Sequence, residues 1–102
     1  MLDASISFTA KIWLYKGAKT SWHFVTLPAD AAEQVRFFVG KRKTKGWGAV
    51  PVKVSVGNTT WHTSIFPDKK LNSFILPLKA DVRKQQKIYK GDEIKVVLLV
   101  QF

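Results

Sequence analysis

The sequence predicts a mainly β protein with two short helices: a six-stranded pseudo-barrel built from a duplicated β-β-α-β unit and capped by the helices. Three observations carry that prediction. Apolar residues recur with a period of two, as in Ile6, Phe8, Ala10, Ile12 and Leu14, and again in Val50, Val52, Val54 and Val56. Strand-like runs end at Leu27-Pro28 and at Leu76-Pro77, each followed by a short helix-like stretch. Finally, Phe24-Val25-Thr26-Leu27-Pro28-Ala29-Asp30 is echoed downstream by Phe74-Ile75-Leu76-Pro77, so one domain with a pseudo-repeat over 6–56 and 59–102 is expected. An open α+β sheet with both helices on one face is the alternative.

Each element has its own warrant. Ile6 to Tyr15 reads as one half-buried strand, with Trp13 and Tyr15 on its outer face. Lys16 to Ser21, polar around Gly17, turns the chain into a strand over Trp22 to Leu27, which Pro28 closes. Asp30 and Glu33 form a capping-box pattern for a helix whose inward stripe is Ala31, Val35 and Phe38, and Gly40 stops it. Val50 to Val56 is a strand that Pro51 assigns to a sheet edge or a strand start. Gly57-Asn58 is a tight turn, so Thr59 to Phe66 pairs back as a hairpin. After the turn over Pro67 to Ser73 come a strand at Phe74 to Leu76 and a helix from Lys79 to about Ile88, with Val82 and Gln85 or Gln86 inward. The last strand, Ile94 to Phe102, is apolar on both faces and should be covered on both.

Composition excludes whole classes of chemistry. The 102 residues include no cysteine, so disulfides, thiolate metal sites and cysteine nucleophiles are ruled out. No apolar run approaches the roughly 20 residues of a membrane span, and the start lacks a signal-peptide pattern, so a cytoplasmic protein without a membrane is expected. Seventeen Lys and Arg against seven Asp and Glu give a net charge of +10, which favours nucleic acid or another polyanion as partner.

The candidate binding residues follow from that charge. Lys41, Arg42, Lys43 and Lys45 lie beside Trp47, a combination suited to gripping phosphates while an indole stacks on a base. Lys79, Arg83 and Lys87, spaced four apart, form a basic stripe on the second helix. The competing structural reading makes the first group a solvated loop, with Trp47 folded back on the barrel. Two doublets, Trp22-His23 and Trp61-His62, supply two imidazoles, short of a zinc ligand set, and should each place one ring inward and one outward. Ser21 and Ser64 near histidines form no recognisable triad, and Asp68, Asp92 and Glu93 sit where turns explain them. No catalytic residues, metal or cofactor are therefore expected. Four tryptophans and seven phenylalanines leave a small-ligand or peptide groove as the alternative to nucleic acid.

Two resemblances add to this reading. Ile75, Leu76, Pro77, Val82, Arg83, Gly91, Asp92, Ile94 and Val96 resemble the swapped-hairpin unit of AbrB, MazE and SpoVT-type regulators, in which a strand, a Leu-Pro, a short helix and a Gly-Asp turn lead into the next strand. Phe8 to Trp13, Trp22 to Pro28, Gly48 to Val52 and Thr60 to Pro67 are similar to an uncharacterised bacterial domain family of unknown function, found alone or ahead of a bacteriocin-protection (YdeI/OmpD-associated) domain. The resemblance implies a double-split β-barrel, a monomer or weak homodimer, and no catalytic residues.

Overall fold

The computed structural model describes residues 5–40 and 48–101. In chain order the elements are β1 (Ser5–Lys11), β2 (Trp13–Lys16), β3 (Ser21–Thr26), α1 (Ala29–Val39), β4 (Val50–Val56), β5 (Thr59–Asp68), β6 (Ser73–Pro77), α2 (Ala80–Gln86) and β7 (Glu93–Val100). The strands form one antiparallel sheet in the order β1-β7-β4-β5-β6-β3-β2. Its two ends, β1 and β2, are consecutive in the chain, so the sheet curls on itself as a half-barrel.

Mainly β with two helices is what the structure shows; six strands is not. The single strand expected from Ile6 to Tyr15 is two, because the chain changes partner at Ile12. Up to Lys11 it pairs with β7, and from Trp13 it pairs with β3. Ile12 itself donates its N–H to the Asp92 carbonyl at 2.9 Å and accepts the Gly91 N–H at 2.8 Å. A period-two pattern cannot reveal this switch, since side chains keep alternating through it. Three strands therefore precede α1 in the first half, whereas only β5 and β6 precede α2 within residues 59–102, and the duplicated β-β-α-β unit over 6–56 and 59–102 is not confirmed. β5 also divides its pairing, with β4 as far as Ile65 and with β6 from Phe66.

The concave side holds one core. Ile6, Leu98 and Val54 stand side by side on β1, β7 and β4, all three fully buried. Val25, Leu76 and Ile65 fill the other half, and α1 covers the core with Ala31, Ala32 and Val35. This helix starts directly after Pro28, whose extended backbone lets its carbonyl accept the first helical bond, from Ala32 at 2.9 Å. The expected Asp30 cap is thus shifted into the first turn, where it accepts the Ala31 N–H. Gly40, at a φ of +53°, ends the helix as its sequence position suggests.

Gly57, at a φ of +58°, makes the two-residue turn that joins β4 to β5. α2 docks beside this turn: Val82 is buried, and the Gln86 amide donates to Asn58 Oδ1 at 2.8 Å and to Thr59 Oγ1 at 2.7 Å. The convex face of β7 is less covered than its sequence suggests, since Val97 is half-buried and Leu99 exposed. No helix among the described residues is long and apolar enough to cross a membrane.

Candidate functional site

The outer face of β2, β3 and β6 carries an aromatic row. Alternation sends Val25 inward, so Trp22, Phe24 and Thr26 point out, and register places Tyr15 opposite Trp22 and Trp13 opposite Phe24. Trp13 is fixed in this row. Its ring lies 5.1 Å from that of Phe24, and its indole N–H donates to Thr26 Oγ1 at 2.9 Å. Trp22 stacks near-parallel on Phe24, 6.4 Å away at 16°. Tyr15 and Trp22 keep 55% and 52% of their surface in solvent, which makes them the accessible end of the row.

Cations flank that end. Phe24 pairs with Pro77, and the Leu78 N–H donates to the His23 carbonyl at 2.9 Å. Lys79 follows as the N-cap of α2 and lines one groove with Trp22, which register places opposite Tyr15. Lys16 closes β2 and Lys19 lies in the following turn, which the Gly17 N–H to Thr20 carbonyl bond holds at 2.7 Å.

Beyond Trp22 the start of β3 and the start of α2 separate, leaving a groove of about 300 Å³ lined by Thr20, Ser21, Trp22, His23, Lys79 and Arg83, with Pro77, Leu78 and Ala80 as its apolar floor. Arg83 is half-buried here, and its Nε donates to the Leu78 carbonyl at 3.3 Å. That bond fixes the guanidinium while leaving both terminal nitrogens without a partner among the described residues. His23 is half-buried, and its buried Nδ1 has no hydrogen-bond partner among the described residues. Burial first, and the positive charge of Arg83 second, push its pKa below the ordinary 6.5.

The structure therefore brings together two of the three residues of the expected helical stripe. Lys79 and Arg83 share the groove, but Lys87 does not join them. α2 has only seven residues, and Lys87, at a φ of 54°, is its left-handed C-cap rather than a third step along one face. Lys41, Arg42, Lys43, Lys45 and Trp47 lie outside the described residues. The Trp-His doublets alternate as expected but in opposite senses. In the first the indole faces out and the imidazole is half-buried; in the second Trp61 packs against the core and His62 is exposed. No group of three or more His, Asp or Glu that could hold a metal occurs among the described residues. No carboxylate among the described residues lines the groove beside Ser21 and His23.

Sequence reasoning singled out Lys79 and Arg83 without seeing that Trp22, His23 and Ser21 meet them. The signal available was the pair of Leu-Pro closures, because the strands that end there, β3 and β6, are antiparallel partners around Val25 and Leu76.

Comparison with known proteins adds the family. No curated protein matches the chain. The pattern of DUF1905, a domain of unknown function, matches residues 8–98, which takes in both helices and all the strands but the outer ends of β1 and β7. On that near-full-length match, the chain belongs to the DUF1905 family.

Proposed function

We propose that this protein is a non-catalytic binding module for single-stranded nucleic acid. The observation that carries this reading is the exposed pair Tyr15 and Trp22 on a sheet face, with Lys79 lining the groove beside Trp22. Unpaired bases stack on such rings whatever their identity, and each base so held contributes about 1–3 kcal/mol. Paired bases in a duplex have no free face to offer, so selectivity for single strands follows. Lys16, Lys19, Lys79 and Arg83 supply phosphate contacts around the row. The segment with Lys41, Arg42, Lys43, Lys45 and Trp47 adds further charge and an indole. The +10 net charge and the AbrB-like stretch from Ile75 to Val96 support a nucleic-acid partner over a peptide.

The test is fluorescence anisotropy with a labelled oligonucleotide of about 12 nucleotides, within the usual site size of such proteins. Binding tighter than to the matching duplex, weakened roughly 5- to 150-fold by Trp22→Ala or Tyr15→Ala, is the result expected from the stacking energy. Equal affinity for both forms, or variants that bind like the wild type, would refute it.

A further inference from the structure

The groove between β3 and α2 has features that stacking and general charge do not use. Two cations of different kinds meet at one small opening. Arg83 is oriented by its Nε bond to the Leu78 carbonyl, with its terminal nitrogens without a partner among the described residues, and Lys79 lines the groove beside Trp22. Thr20 and Ser21 also line it, and Pro77, Leu78 and Ala80 make the floor apolar. The volume of about 300 Å³ is at the bottom of the range for small-molecule sites, with room for one nucleotide and no longer stretch of chain.

We infer that this groove is a subsite for one nucleotide bearing a phosphomonoester, its phosphate held between Lys79 and Arg83 and its sugar and base edge against Pro77 and Leu78. An oriented guanidinium fork suits a phosphate's paired oxygens, and a monoester carries about 1.5 to 2 negative charges where an internal diester carries one. No carboxylate among the described residues lines the groove to oppose that charge, and Asp81, on the first turn of α2, is not among the lining residues. Such a group occurs at the end of a nucleic-acid strand or on a free mononucleotide. The inference rests on the stacking surface only for the first source.

The experiment compares one short oligonucleotide in 5′-phosphorylated, 3′-phosphorylated and unphosphorylated forms, and adds a separate calorimetric titration with adenosine 5′-monophosphate. One terminal phosphate should tighten oligonucleotide binding about tenfold, the gain typical of a charge-assisted contact pair. Lys79→Gln should abolish most of that ratio, and Arg83→Lys should reduce it by removing the fork while keeping the charge. Adenosine monophosphate binding with the same sensitivity to Lys79→Gln assigns the site to free nucleotides as well. If phosphorylated and unphosphorylated strands bind equally and the mononucleotide does not bind, the inference is overturned while the stacking surface stands. Mononucleotide binding without any oligonucleotide binding would uphold the groove and remove the stacking surface instead.

Discussion

The Trp13 indole N–H reaches across the β2–β3 pair to the hydroxyl of Thr26, 2.9 Å away, and this bond separates the structural end of the aromatic row from the accessible end. Trp13 is packed on Phe24 and satisfied, whereas Trp22 shares the Phe24 contact but is more than half exposed. Thr26→Val should strand the Trp13 N–H in a half-buried site and cost about 1–2 kcal/mol in urea unfolding, with nucleic-acid binding at wild-type strength. Trp22→Ala should show the reverse: stability within about 1 kcal/mol of wild type, and a clear loss of binding.

Ionic strength gives an independent count of the contacts. If Lys16, Lys19 and the Lys79–Arg83 pair each meet one phosphate of a single strand, log affinity should fall against log salt with a slope of about −2, at roughly −0.7 per contact. Replacing Lys19 with Gln should make the slope shallower by about 0.7. A slope near zero would remove phosphate contacts from the account.

The part of the core under β1, β7 and β4 should be the least tolerant region. Leu98 lies between Ile6 and Val54, and all three are fully buried. Leu98→Ala should therefore cost about 2–5 kcal/mol, the range for emptying a packed aliphatic site. Chemical denaturation checks this, and a loss below about 1 kcal/mol would mean that the core collapses around the gap.

The β4–β5 turn should be sensitive for a different reason. Gly57 has a φ of +58°, and a Cβ added there would collide with the Gln86 side-chain amide. Gly57→Ala thus strains the turn and displaces the side chain that ties α2 to Asn58 and Thr59. A loss of about 1–3 kcal/mol is expected, together with faster amide exchange in α2 than in β7.

Stability should also depend on His23. Its folded pKa lies below 6.5, so the unfolded chain takes up the proton more readily. The contribution from the neutral imidazole is complete above pH 6.5 and is lost as pH falls toward the lowered folded value. Urea midpoints measured downward from about pH 7.5 should decline in this window, and His23→Gln should flatten the His23 part of that decline. A wild type and variant with parallel profiles would show that His23 does not titrate differently on folding.

Much of the fold was legible because it rests on periodicity. The inward positions of β4 and β7, the Gly57-Asn58 turn and the stop at Gly40 all follow from residue type and spacing. The break at Ile12 was not legible, since it is a change of partner dictated by Gly91 and Asp92, almost eighty positions away. The candidate site shows the same division. Lys79 and Arg83 stand out as charges in the sequence, but their meeting with Trp22 depends on the β3–β6 register. The stripe failed at Lys87 because helix length, not spacing, decides which residues share a face, and α2 ends at Gln86.

The most direct measurement is photocrosslinking of a single-stranded oligonucleotide carrying 5-bromouracil, with the adduct mapped by mass spectrometry. Stacking on the exposed end of the aromatic row predicts adducts at Trp22 or Tyr15. Efficient crosslinking that leaves both residues unmodified would contradict the account.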